Sequence, residues 1–213
     1  VDTLVHGTTV TTNATLTGTG AKSALLTTRG VRDALEMRRG VREEQYNNRY
    51  TNVRPLVPRY LRIGVGGRLD RDGRELEPLA ADEVRRAIEL FRSEAVEAVS
   101  ICFMNAFANP AHEVAAAALV RARMPDAFLT VSSTLLPAIR FYERLSTTAL
   151  NSYVGPKLNR YLPALNAAAL AVADGAAEID MVQNFGALKS GHAAAVAADW
   201  PSTMNTGSMR IEP

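Results

Sequence analysis

The run VHGTTVTTNATL, Val5 to Leu16, sets the imidazole of His6, the bare backbone of Gly7 and the hydroxyls of Thr8 and Thr9 in four consecutive positions, with the amide of Asn13 one helical turn further on. A strand that ends in a glycine turn and enters a helix at hydroxyl residues presents free N–H groups and oxygen atoms to one space. That arrangement can receive an anion or a polarised carbonyl. Imidazole adds a group able to donate or relay a proton near neutral pH. The same residues also have a structural use, with Thr8 or Thr9 as the N-cap of a helix and His6 bonded to a nearby carbonyl. Residue chemistry alone leaves both uses open.

A second constellation lies in FYERLSTTALNSYVGP, Phe141 to Pro156. Glu143, Ser146, Thr147 and Asn151 follow three- and four-residue spacings and so share one helix face. Such a polar stripe beside apolar segments is either a buried network or a wet side. His112-Glu113 stands at a helix start, where the glutamate suits the helix dipole and a structural role outweighs a metal site. His192 lies in a weakly patterned segment and is expected to face solvent. Cys102, inside the apolar run AVSICF, reads as a buried structural thiol. The chain has no GxxxxGK[ST] loop, no GxGxxG after a strand and no HExxH helix, and no metal site is expected.

The elements that would position these residues come from a chain of 213 residues, enough for one large domain or two small ones. The balance of 24 Lys+Arg against 22 Asp+Glu demands neither nucleic acid nor an anionic membrane as partner. A single cysteine excludes an internal disulfide and a cysteine-based zinc cluster. No apolar run approaches the roughly 18 residues that span a bilayer, and without a secretory signal the Asn-Ala-Thr acceptor at Asn13 carries little weight, so the cytoplasm is the expected compartment.

Strand and helix signals alternate. TLVHG reads as a strand, TTVTTNATLTGTG as a helix ending in glycine, SALLTTRG as a strand and VRDALEMRRG as a short helix stopped by Gly40. Further on, ADEVRRAIELFRSE predicts an amphipathic helix with Val84, Ile88 and Leu90–Phe91 on one side. VEAVSICF is a buried strand, NPAHEVAAAALVRARM a helix with Pro110 in its first turn, AFLTVSS a strand and EIDMVQNFG a last one. This rhythm predicts an α/β fold with a parallel sheet. Residues 41–80, rich in proline, asparagine and arginine, read as an inserted excursion with a hairpin at Asp72-Gly73. The helical stretch from Leu135 onward should be interrupted at Gly155-Pro156. Residues 1–135 then form an α/β region carrying the insertion, and 136–213 a helical connection to the start of a second lobe. The chain opens on a core strand and closes without a terminal helix, so it is expected to be a piece of a longer protein.

Taken in order, VHGTTVTTNATLTGTGAKSALLTTRGVRDALEMRRG, ICFMNAFANPAHE, SSTLLPAIRFYERLSTTALNSYVGP and MVQNFGAL resemble the N-terminal region of the hydantoinase A/5-oxoprolinase family, over nearly the whole chain. The resemblance implies an actin/Hsp70-like, ribonuclease-H-type nucleotide fold. It also implies an ATP-dependent enzyme that opens cyclic amides by phosphorylating a carbonyl, or the ATP-using subunit of an acetone- or acetophenone-type ketone carboxylase, with Mg²⁺ shielding the phosphates. A diverged scaffold subunit is a third possibility. A B-type subunit is the implied partner and a small molecule the implied substrate. The resemblance puts His6, Thr8 and Thr9 at the reacting centre, with Gly7, Asn13, Ser146, Thr147, Asn151, Tyr153 and Gly186 lining the cleft. It also marks departures. The family's acidic Asp-x-Gly-Gly-Thr hairpin is expected upstream of Val1 and its second phosphate loop downstream of Pro213, and Phe185 stands where a small polar residue is usual.

Overall fold

SALLTT, Ser23–Thr28, is buried at every position, as a strand must be when it is covered on both faces and paired on both edges. This computed structural model describes residues 8–173, with side chains as far as residue 163, and the strand pair Ile179–Asp180 with Ser208–Met209. Two compact units divide the chain: Gly20–Pro156, and Val1–Thr19 together with Lys157–Pro213.

The second of these units contains α1 (Val10–Leu16). Gly20–Pro156 runs through β1 (Ser23–Thr28), α2 (Ala34–Met37), a single 3-10 turn (Arg59–Leu61), β2 (Arg62–Val65), β3 (Arg68–Leu69), β4 (Glu75–Glu77), α3 (Ala81–Ser93), β5 (Ala98–Cys102), α4 (Ala111–Arg123), β6 (Phe128–Val131) and α5 (Ser132–Leu135). The long helix α6 (Phe141–Ala173) contributes residues to both units. The remaining strands, β7 (Ile179–Asp180) and β8 (Ser208–Met209), pair antiparallel.

The main sheet is parallel throughout, in the order β2-β1-β5-β6. The expected α/β class with a parallel sheet is therefore present. α3 packs on β1 and β2, and α4 on β5, β6 and α3. α3 buries Val84, Ala87, Ile88 and Phe91, the i, i+3, i+4, i+7 stripe of an amphipathic helix, while Leu90 sits at the border of that stripe and is half-buried. These side chains join Leu25, Leu26, Val99, Ile101, Val120 and Leu145 in one apolar core.

Three expectations need correction. Residues 41–80 are not wholly an excursion, because β2 joins the main sheet as its edge strand, with Leu25 opposite Arg62 and Thr28 opposite Val65. An arginine at the strand start and the flanking prolines hid the signal. Arg62 is buried and bonds Glu36 of α2 at 2.6 Å, which offsets part of its burial cost. The β3–β4 hairpin does turn at Asp72-Gly73, with Gly73 at φ +83°. Secondly, α6 runs without a break through Gly155-Pro156 for 33 residues. Proline removes one donor from the ladder, but packing holds the helix: the bare Cα of Gly155 lies against the Phe128 ring. Thirdly, Pro110 occupies the N-cap of α4 rather than its first turn. The expected TLVHG strand lies outside the described residues, and of EIDMVQNFG only Ile179–Asp180 is described.

Candidate functional site

α1 is short and rich in threonine, so its ends must be satisfied locally. Thr9 occupies the N-cap without a side-chain capping bond. Instead Thr8 Oγ1 accepts the Val10 N–H at 3.2 Å, and Thr9 Oγ1 accepts from Asn13 Nδ2 at 3.2 Å. Thr15 and Thr17 donate back to the Thr11 and Asn13 carbonyls at 2.9 and 2.7 Å. At the other end Gly18, at φ +66°, lets the Thr19 N–H reach the Ala14 carbonyl at 3.0 Å, a Schellman closure. The structure thus joins Thr9 to Asn13, while Thr8 is spent on the Val10 amide. Both threonines are exposed, and each hydroxyl has accepted a bond while keeping its own proton for donation. His6, Gly7, Gly186 and His192 lie outside the described residues.

A second place is dictated by topology. The chain passes from β1 to β2 on one side and returns to β5 on the other, and doubly wound sheets bind ligands at the carboxyl ends of strands where the order reverses in this way. The reversal here lies between β1 and β5, and beside it the ends of β5 and β6 are satisfied from within. Glu113, fully buried in the first turn of α4, accepts the Phe103 N–H at 2.8 Å, the Ser133 N–H at 2.8 Å and the Ser132 hydroxyl at 2.6 Å. The carbonyl of the same Phe103 accepts from Arg144 Nη2, so a buried carboxylate and a buried guanidinium meet across one residue's backbone. Arg144 Nη1 donates to the Ala138 carbonyl at 3.3 Å, and its guanidinium lies 5.8 and 5.9 Å from the Phe107 and Phe141 ring centres. Its Nε has no acceptor among the described residues. Thr28 Oγ1 accepts the Met104 N–H at 3.0 Å, and Thr27 donates to the Cys102 carbonyl at 2.7 Å. Burial pushes the Cys102 thiol up to about 11, so it stays protonated and inert at neutral pH.

The α6 stripe does not converge. Thr147 is exposed, Ser146 donates to the Glu143 carbonyl at 3.2 Å, and Glu143 faces Arg39 at 3.3 Å. Asn151 turns to Thr130 Oγ1 at 3.0 Å, and Tyr153 is buried with its ring over Gly20. The buried polar line lies one residue further on. Arg144, Thr148 and Ser152 are all buried: Arg144 reaches the Phe103 carbonyl at the exit of β5, Thr148 donates to the Arg144 carbonyl at 2.6 Å, Ser152 donates to the Val99 carbonyl at 3.3 Å, and Ser100 donates to the Thr148 carbonyl at 3.4 Å. Sequence reasoning also missed Glu113 as a hydrogen-bond hub, assigning it to the helix dipole. For the buried line on α6 the available signal was the i, i+4, i+8 series of Arg144, Thr148 and Ser152. His112 takes a structural place, buried with Nε2 2.7 Å from Glu75 of β4, and so ties the hairpin to α4.

Residues 1–124 match the family model for the hydantoinase/oxoprolinase N-terminal region, more than half of the chain. The chain belongs to the hydantoinase/oxoprolinase family. Caprolactamase subunit alpha of Pseudomonas jessenii is 42% identical over 168 residues, which are 78% of this chain and 24% of that protein. The acetophenone carboxylase gamma subunit of Aromatoleum aromaticum is 29% identical over 47% of this chain and 14% of its own length. Among solved structures, the ATP-dependent caprolactamase from Pseudomonas jessenii superposes with a TM-score of 0.73 at 42% identity, covering 76% of this chain and 24% of that one. Nucleotide-free acetone carboxylase follows at 0.64 and 25% identity, covering 69% of this chain and 22% of that one. This family member therefore spans about a quarter or less of these relatives.

Family membership brings ATP into question, and the strand-end crevice answers for its own part. The two amides and the hydroxyl that could hold a phosphate there are already occupied by Glu113, and a phosphate would meet its carboxylate. Nor do the described residues hold a group of three His, Cys, Asp or Glu side chains suited to Mg²⁺. The ends of β5 and β6 therefore offer a phosphate no free backbone donor from Phe103 or Ser133.

Proposed function

We propose that this chain is part of an ATP-dependent enzyme of the hydantoinase/oxoprolinase type, one that activates a carbonyl and hydrolyses the C–N bond of a cyclic amide. The observation that carries this reading is the 42% identity with caprolactamase subunit alpha across 78% of the chain. Nucleotide and Mg²⁺ would be held by parts of the full-length protein other than the Glu113 crevice, in an actin/Hsp70-like arrangement. His6, Thr8 and Thr9 are the reacting-centre candidates. His6 would donate a hydrogen bond or a proton to the carbonyl oxygen as it gains negative charge, the free protons of Thr8 and Thr9 would support it, and Asn13 would fix the Thr9 hydroxyl. Gly7 and Gly186, with Ser146, Thr147, Asn151 and Tyr153, rank second as cleft residues. The enzyme would work in the cytoplasm beside a B-type partner subunit.

The test is a substrate panel on the full-length complex, following ATP consumption with lactams, hydantoins, 5-oxoproline and aromatic ketones. Consumption driven by a cyclic amide is expected. Consumption driven by ketone and bicarbonate alone would replace this reading with the ketone carboxylase subunit, which the acetone carboxylase likeness supports. No consumption with any of them would leave a scaffold role. Within the active complex, His6→Ala should lower turnover about 10²-fold or more while the melting temperature holds, and His6→Asn should retain part of the activity. Unchanged turnover per folded molecule would remove His6 from the site.

A further inference from the structure

α1 is seven residues long, VTTNATL, with three threonines and no side-chain capping bond at its N-cap. β-branched residues lose rotamer freedom in a helix, and a helix this short does not persist in water by itself. Its geometry must be fixed from elsewhere in the chain, and Lys157 of α6 reaches it across 138 positions: Nζ donates to Thr19 Oγ1 at 2.9 Å. Thr19 Oγ1 lies 2.9 Å from Thr17 Oγ1, and the Thr17 hydroxyl donates to the Asn13 carbonyl at 2.7 Å. Both ends of this chain fix its direction. An ammonium only donates, a carbonyl only accepts, and Thr17 has one proton, already given to Asn13. Thr19 must therefore donate to Thr17. Every bond then points from the lysine towards Asn13, whose Nδ2 donates to Thr9 Oγ1 at 3.2 Å. All of these residues belong to the same compact unit.

The lysine is not left at a wet surface. Tyr153 and Tyr161, four residues to either side on α6, are buried, so Lys157 stands on the packed side of the helix and is itself half-buried. Its charge lies just past the last turn of α1, the end at which a helix dipole favours a cation. A charged donor also strengthens a chain of aligned hydrogen bonds by polarising each in turn. From the direction of this chain we infer that Lys157 is a positioning residue. Through Thr19, Thr17 and Asn13 it fixes α1 so that the Thr9 hydroxyl, held by the Asn13 amide, keeps its own proton for the substrate carbonyl. The inference rests on the reading of Thr9 as a reacting-centre residue; Lys157 acts through Asn13 and not on the substrate.

The test uses the full-length complex and the substrate that drives its ATP consumption. Lys157→Met keeps the apolar stem, removes the donor and should lower kcat about tenfold with KM within about twofold. Thr19→Val, which breaks the next link at nearly constant shape, should do the same, and Lys157→Arg, which keeps a charged donor, should restore most of the rate. In a Thr9→Ala background Lys157→Met should cost less than about twofold more, because both changes act on one hydroxyl. Lys22→Met, at the exposed pair with Glu94, is the control and should stay within about twofold. Hydrogen exchange gives a readout that needs no turnover. The Asn13 and Thr17 amides, which donate to the Thr9 and Asn13 carbonyls, should exchange about tenfold faster in Lys157→Met while those of β5 hold. Normal kcat in Lys157→Met and Thr19→Val with Thr9→Ala impaired would overturn the positioning role and leave the reading of Thr9 standing. Losses that multiply with that of Thr9→Ala, or a lower melting temperature at unchanged kcat per folded molecule, would likewise reduce Lys157 to a structural tie and overturn the role. Normal turnover in Thr9→Ala, or a complex that no substrate activates, would refute the reading and take the inference with it.

Discussion

Glu113 carries a negative charge into the core and spends it on three donors that have nowhere else to turn. Glu113→Ala would strand the Phe103 and Ser133 amides and the Ser132 hydroxyl, and would leave Arg144 as a buried charge without its counterpart. A loss of about 3–5 kcal/mol is expected in urea unfolding of the chain. Glu113→Gln, which keeps one acceptor, should lose less, and formate should partly restore the alanine variant by refilling the vacated place. Equal stability of all three forms would show the hub to be idle. Glu43 gives a pH-dependent counterpart. Its bond from Arg38, aided by Tyr50, lowers its carboxyl from 4.5 to about 2. A depressed carboxyl contributes stability that is fully present above about 4.5 and lost as pH falls towards 2, so the loop contacts should loosen in that window. A carbon-detected NMR titration of Glu43 with a midpoint near 4.5 would refute the pairing. Neither residue's role was legible in the sequence. Glu113 looked like a dipole partner because the donors to its carboxylate lie ten and more positions away, and Glu43 fell inside the segment read as an excursion.

At the scale of elements, periodicity and burial agree where one face decides, as in β1, α3 and β5. They disagree where tertiary packing overrides a local rule. Proline should end a helix, yet α6 continues through Pro156 because Gly155 lets it lie against Phe128. Built onto Gly155, a Cβ would stand 2.3 Å from that ring. Helix propensity favours alanine over glycine by about 1 kcal/mol, but overpacking costs about 1–3 kcal/mol, so the clash decides the sign. Gly155→Ala should therefore destabilise, read as a lower urea midpoint at unchanged slope; a higher midpoint would mean that the ring swings away freely. The edge strand β2 escaped sequence reading for a related reason. Its buried arginine is tolerated only because α2 brings Glu36 to it, and no window of sequence contains both.

For the whole molecule, family and α/β class were legible from ordered motifs; of the proposed site the structure shows the local bond from Asn13 to Thr9, while the α6 stripe disperses. The chain of 213 residues alone should bind ATP more weakly than about millimolar, since the strand-end crevice already holds a carboxylate. Magnesium-dependent micromolar binding by calorimetry would contradict this. The division into units has a further consequence. The Ala21 N–H donates to the Tyr153 carbonyl at 2.8 Å, so Gly20–Pro156 begins and ends at one place. A unit closed in that way behaves as a cassette. Expressed by itself, Gly20–Pro156 should unfold in a single cooperative step, and a gradual, non-cooperative melt would deny it independence. On the ribosome, Val1–Thr19 must wait while the whole cassette is synthesised before Lys157 and its successors emerge to join it. Maturation therefore proceeds from the middle of the chain outward, and the threonines of the candidate site are among the last residues to find their surroundings.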